Sequence, residues 1–307
     1  MSSPKPYQYA NELIPSVIPL LSTTEQTLLS ESYLDPSLDR YHNLINSWKV
    51  VRQQMTLLEP ELSSFCSEEW SHLNQVDEGL VCSHTFAALA TVYSLPCFKS
   101  LDSHDQNIII YGLLFHDIAK RGPPQIQTKD PVHPFTSAAK ALRIFNNLGW
   151  VVNPGIVNEA ADFIHNASFF HQWGNFMDNR KLPQIYRYLL YATGLLETLS
   201  TPYQTYSHLT KDLQKESLFI FEILAIILFH QSIDFNPEFP NFTPLKDLEV
   251  TKYLSPRLLD LLAVLVIGDS GSYYLPEPRT DWTFYRTIID TSNELKIRCL
   301  GLRRSKK

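Results

Sequence analysis

The sequence predicts an all-α fold, and three observations carry that expectation. Apolar residues recur at helical spacing along most of the chain, proline and glycine punctuate the ends of those segments, and no pair of alternating strands joined by an Asn-Gly or Asp-Gly turn is present. With 44% hydrophobic and 19% charged residues among 307, the chain reads as globular with an aromatic core rather than as disordered.

Ser22 and Glu25 fit a capping box before a first helix, and Asp35-Pro36 supplies an N-cap and a proline at the first helical position of a second. A third helix is expected from Pro60 to about Val76, stopping near Gly79. Leu80–Leu95 predicts a buried helix that carries His84 and is ended by Pro96. Asn107–Lys120 is apolar around its whole circumference, which places it at the centre of the fold; Arg121-Gly122-Pro123-Pro124 stops it and opens a polar loop reaching His133-Pro134.

Thr136 or Ser137 is expected to cap a helix running to Leu148, with Gly149 as its left-handed terminator. Asn153-Pro154 opens another helix, carrying Asp162 and His165. From about 172 to 256 the pattern is less regular, with a Tyr-rich helix near 184–199 and an apolar one over Leu218–Phe229 that Glu222 interrupts. A last apolar helix, Pro256–Gly268, delivers Asp269. With no repeat or low-complexity linker, the chain reads as a helical extension (1–79), one domain (80–272) with an insertion at about 172–256, and a C-terminal extension (273–307) with a basic tail.

A formal charge of -6 gives no electrostatic footprint for nucleic acid. The tail residues Lys296, Arg298, Arg303, Arg304, Lys306 and Lys307 are the exception, and are expected to be solvated and frayed. Cys66, Cys82, Cys97 and Cys299 form no CxxC pair and read as reduced thiols. The first residues lack the basic start and apolar stretch of a secretory signal, and no apolar run is long enough to span a bilayer, so the expectation is a cytoplasmic protein without a membrane partner.

The chemistry is concentrated in histidines that fall in or beside apolar segments: His84, His116, His133 and His165. A buried imidazole is costly unless its polar atoms are satisfied, and an ionised Asp117 at the end of so apolar a helix needs a cation, a metal or several donors. Neighbouring helical residues project about 100° apart, so His116 and Asp117 reach different parts of one centre while Lys120 lies a turn further on.

Phe115-His116-Asp117-Ile118-Ala119-Lys120 resembles the signature of the HD superfamily of metal-dependent phosphohydrolases. His133-Pro134 followed by Ser137-Ala138-Ala139, and Ile267-Gly268-Asp269-Ser270-Gly271 after an apolar helix, resemble the HD domains of RNA-processing nucleotidyltransferases and cyclic-dinucleotide phosphodiesterases. The resemblance covers about 80–272 and implies an HD-domain helical bundle with a helical insertion before the last metal ligand. It implies that His84, His116, Asp117 and Asp269 bind one metal, and that Asp117 bridges to a second held by His133 and His165. Where many dinuclear members have a second His after the one matched by His165, this chain has Asn166, and Asp234 stands as the alternative to Asp269. Asp162 is a candidate to orient His165, and His171 a weaker candidate near the same centre.

Imidazole and carboxylate ligands without thiolate suit two divalent transition ions from among Fe, Mn, Co, Ni and Zn. The expected function is hydrolysis of a phosphomonoester or phosphodiester on a small, nucleotide-like substrate by metal-activated water, with Asp117 and Lys120 as the catalytic pair and Arg121 as a weaker second cation. Two other readings stand beside it. One is an HD-type di-iron oxygenase, which oxygen consumption by iron-loaded protein would separate from phosphate release. The other is a non-enzymatic nucleotide-binding HD module that uses the 172–256 segment as a contact surface, which the complete ligand set disfavours.

Overall fold

The computed structural model describes residues 75–76, 79–120, 133–147, 150, 211–233, 246–247, 250–251, 254–271 and 283–304, and these are predominantly helical. In chain order they form β1 (Gln75–Val76), β2 (Gly79–Leu80), α1 (Val81–Ser94), α2 (Pro96–Lys99), α3 (Ser103–Phe115), α4 (His133–Asn147), α5 (Lys211–Phe229), α6 (Pro256–Gly271) and α7 (Thr283–Arg304). The strands pair antiparallel, Gln75 opposite Leu80 and Val76 opposite Gly79. This short ladder replaces the end of the helix expected to reach Val76. No described helix is long and apolar enough to cross a membrane.

Local chemistry sets several helix ends. Asp102, extended at the N-cap of α3, accepts the Asp105 N–H at 2.9 Å. Ser255 does the same before α6, its hydroxyl accepting from the Leu258 N–H at 3.1 Å, with Pro256 opening the helix. Pro96 follows α1 as expected and also starts α2, because a proline in the first turn lacks only an N–H that has no helical partner there. The helix expected to start at Thr136 or Ser137 begins instead at His133. Pro134 suits that early start, and the Thr136 hydroxyl donates to the His133 carbonyl at 3.2 Å from within the first turn.

Helix α3 lies at the centre. It is buried from Asn107 through Phe115 because α1, α5 and α6 pack around it, which explains why its sequence is apolar on every side. Tyr111 meets Trp150 and Phe219 edge-on, each at 6.1 Å between ring centroids, and Phe115 meets Phe145 edge-on at 5.3 Å. These aromatic contacts join α3, α4 and α5 in one core.

The C-terminal extension is not frayed over its described residues. Ile288, Ser292, Leu295 and Cys299 recur at helical spacing on the buried face of α7, which packs against α6. Two of the tail cations are engaged within the chain: Lys296 pairs with Asp260, and Arg298 lies 2.9 Å from Asp247. Charge repeats of this kind look solvated in sequence, but here they clasp the last helix to its neighbours.

Glu222, which interrupts the apolar α5, is also satisfied. His104 Nε2 lies 3.2 Å from it, and Arg257 bridges from Glu222 to Asp105, with its Nε donating to Asp105 at 2.9 Å. This network ties the first turns of α3 and α6 to the middle of α5, away from the last turn of each, so the three helices run in the same direction and finish together.

Close approach near those last turns depends on glycine. A methyl group at Gly268 of α6 would lie 2.3 Å from Val92 Cγ2 and 3.1 Å from the Ala88 carbonyl oxygen, so α6 touches the α1 backbone one residue before Asp269. In α7, by contrast, a methyl at Gly301 would meet nothing within 4 Å. Gly268→Ala is therefore expected to destabilise by roughly 1–2 kcal/mol, overpacking outweighing the helix-propensity gain, whereas Gly301→Ala is expected to stabilise by up to about 1 kcal/mol. Denaturant midpoints of the two variants check the opposite signs, and a stabilised Gly268→Ala would show that the α1–α6 contact yields easily.

Candidate metal centre

Five helices bring their polar residues to one buried place. His84 comes from the first turn of α1, His116 and Asp117 follow the last residue of α3, His133 begins α4, His230 follows α5, and Asp269 lies in the last turn of α6. All are buried except Asp269, whose side chain is 18% exposed. Lys120, 12% exposed, lies beside them, so the open side of the cluster is the one that Lys120 and Asp269 border.

Asp117 divides the cluster in two. Its Oδ2 lies 3.5 Å from His84 Nε2 and 3.6 Å from His116 Nε2, while those two nitrogens are 3.4 Å apart. Asp269 Oδ1 closes this half, 2.9 Å from His84 Nε2 and 3.5 Å from His116 Nε2. On the other side, Asp117 Oδ1 lies 3.0 Å from His133 Nε2, which is 3.3 Å from His230 Nε2. Lys120 Nζ donates to Asp117 Oδ2 at 2.9 Å.

Backbone contacts aim the rings. His116 Nδ1 lies 2.7 Å from the Leu113 carbonyl and His230 Nδ1 lies 2.6 Å from the Ile227 carbonyl, each three residues back in its own helix. Each Nδ1 donates its hydrogen outward to the backbone, which leaves Nε2 facing the cluster, the arrangement that fixes a ligating histidine.

Burial alone would drive these groups toward their neutral forms. At His116 burial is outweighed by the charge of Asp117 and by the hydrogen bond and charge of Asp269, and its pKa is raised to about 9. At Asp117 burial is outweighed by the charges of His116, Lys120 and His133, which hold the carboxyl well below its usual range; His116 and His84 do the same for Asp269. His230 moves the other way, since burial and then the charges of His133 and His116 push it down to about 3.

The residues fit a metal. Two groups, His84–His116–Asp117 and Asp117–His133–His230, each converge on one point. Their ligand atoms are spaced as atoms would be around an ion with bonds of about 2.1 Å, for which adjacent ligands stand roughly 3.0–3.4 Å apart. Asp117 Oδ1 is buried without a well-directed hydrogen bond, which is costly for a carboxylate unless a cation takes its place. The donors are nitrogen and oxygen without sulfur, the set favoured by borderline divalent ions.

The structure thus brings together His84, His116, Asp117, His133 and Asp269 as the sequence led us to expect, and places Lys120 against Asp117. His165, Asp162, His171, Arg121 and Asp234 lie outside the described residues. His230 was not among the expected ligands, yet the sequence holds a signal for it. Leu228-Phe229-His230 repeats Leu114-Phe115-His116, in each case a histidine closing an apolar helix. Comparisons of the chain with protein-family models, curated proteins and solved structures found no match.

A divalent transition ion is expected to raise the thermal midpoint, by the equivalent of about 2.7 kcal/mol at a hundredfold excess over its Kd, and a chelator to reverse the shift. Asp117→Asn should abolish it, while His230→Ala should lower the bound stoichiometry and spare part of the shift. A midpoint of the unaltered chain that ignores metal would remove the metal reading.

Proposed function

We propose that the chain is a metal-dependent hydrolase of phosphate esters of the HD type, acting on a small, nucleotide-like phosphomonoester or phosphodiester. The observation that carries this reading is the buried Asp117 carboxylate, with one oxygen toward the His84–His116 pair and the other toward His133, and with the Lys120 ammonium at its rim. His84, His116, Asp117 and Asp269 would hold one ion, and Asp117, His133 and His230 a second. Bound there, divalent ions supply Lewis acidity and a water acidic enough to ionise near neutral pH.

The chain's own residues do the rest. Asp117 contributes one negative charge to both halves and keeps them adjacent. The backbone carbonyls of Leu113 and Ile227 hold the His116 and His230 rings, so neither of these imidazoles has to turn during the reaction. Burial of the ligands keeps bulk water out of the closed side, while Asp269 and Lys120 border the open one. With Asp117 engaged by the ions it would hold, the Lys120 ammonium would meet a non-bridging phosphate oxygen, whose charge grows toward the transition state. Lys120 is given this role because, among the described residues, it is a cation already on the rim of the cluster, which leans toward hydrolysis over oxygenation.

The test is phosphate release from aryl phosphates, diesters and nucleotides by protein loaded in turn with Mn, Fe, Co, Ni and Zn. Lys120→Ala is expected to keep its metal and to lose turnover by a factor of order 10², equivalent to about 3 kcal/mol of transition-state stabilisation. Asp117→Asn should lose metal and activity together. Loaded protein that releases no phosphate from any ester, while consuming oxygen with iron bound, would replace hydrolysis by oxygenation. An unchanged rate in Lys120→Ala would withdraw the role of that lysine.

A further inference from the structure

The hydrogen bonding of α3 changes where the site begins. After Phe115 the Ile118 N–H donates to the Phe115 carbonyl at 3.3 Å and the Lys120 N–H to the Asp117 carbonyl at 2.9 Å, both closing tight three-residue turns. In a continuing α-helix the Ala119 N–H would donate to Phe115. It donates instead to the Ser137 hydroxyl at 3.1 Å. Ser137 is fully buried on α4, one helical turn beyond His133 and so on the same face of that helix. Three residues further along α4, Lys140 Nζ reaches the carbonyl of Ile118 at 3.5 Å, a second and weaker tie to the same turn.

We infer that Ser137 is a positioning residue for Asp117, holding the carboxylate across the two halves of the centre through the Ala119 amide. One hydroxyl connects the segment that carries His116 and Asp117 to the helix that carries His133. It takes up the amide that would otherwise call for a continued α-helix, and such a helix would turn Asp117 and Lys120 to other azimuths. The spacing between Asp117 Oδ1 and His133 Nε2, 3.0 Å, is therefore set by this link as well as by core packing. The role goes beyond ligation and rests on the metal reading of the cluster.

The experiment compares Mn2+ binding, by equilibrium dialysis with electron paramagnetic resonance of the bound ions, in the unaltered chain and in Ser137→Ala, Ser137→Thr and Ser292→Ala. Ser292 is the control, because its buried hydroxyl likewise reaches another helix, donating to the Leu259 carbonyl at 3.5 Å, away from the site. Ser137→Ala is expected to bind Mn2+ at least tenfold more weakly and to change its resonance spectrum, Ser137→Thr to retain the unaltered spectrum, and Ser292→Ala to bind normally. Equal binding and spectra in Ser137→Ala and the unaltered chain would overturn the inference alone; an unaltered chain that binds no Mn2+ would overturn the metal reading with it. Should Ser137→Ala not fold, native-state exchange of the Ala119 amide in the unaltered chain decides, protection supporting the link and exchange at the rate of an open amide refuting it.

Discussion

The structure depends on a buried carboxylate that cannot be satisfied by one neighbour. Asp117 is almost wholly removed from water, and a single ion pair there would recover little of its desolvation cost. Its two oxygens are instead distributed between opposite groups of imidazoles, with Lys120 on the rim. That requirement fixes where α1, α4, α5 and α6 must place their polar residues. The apolar packing around α3 can tolerate substitutions of similar volume, but the arrangement at its last turn has few alternatives.

Two features at opposite ends of the same helices meet this demand. Near the centre, small residues let the backbones approach until Gly268 abuts Val92 and Ala88, which brings Asp269 to His84. At the far end Arg257, Glu222, Asp105 and His104 hold α3, α5 and α6 in register. The Arg257 side chain is partly exposed, so its ion pairs contribute more to alignment than to stability.

Much of the site was legible because a polar residue in an apolar helix is conspicuous. His84, His116-Asp117 and Asp269 could be picked out on that ground, and the circumferential apolarity of α3 announced its central place. Other features were hidden for identifiable reasons. His230 follows the same Leu-Phe-His pattern as His116 but lacks an adjoining aspartate, so nothing local marked it as more than the end of a core helix. Ser137 looked like a helix cap because serine at a helix start is commonly one; its partner, the Ala119 amide, is near it only in three dimensions. The charges of α7 masked the apolar face formed by Ile288, Leu295 and Cys299, whose spacing is helical. Pairing between Gln75–Val76 and Gly79–Leu80 is a two-residue event, too short for any periodicity to reveal.

The common direction of α3, α5 and α6 has an electrostatic consequence of its own. Each helix points its carbonyl end at the cluster, and a helix carries the equivalent of about half a negative charge at that end. Against these three, α1, with His84 in its first turn, and α4, which His133 begins, present the opposite pole. Three carbonyl ends against two amide ends leave the backbone an excess of one negative pole beside the two carboxylates. Under the proposed function, that excess would favour the entry of cations before that of an anionic substrate.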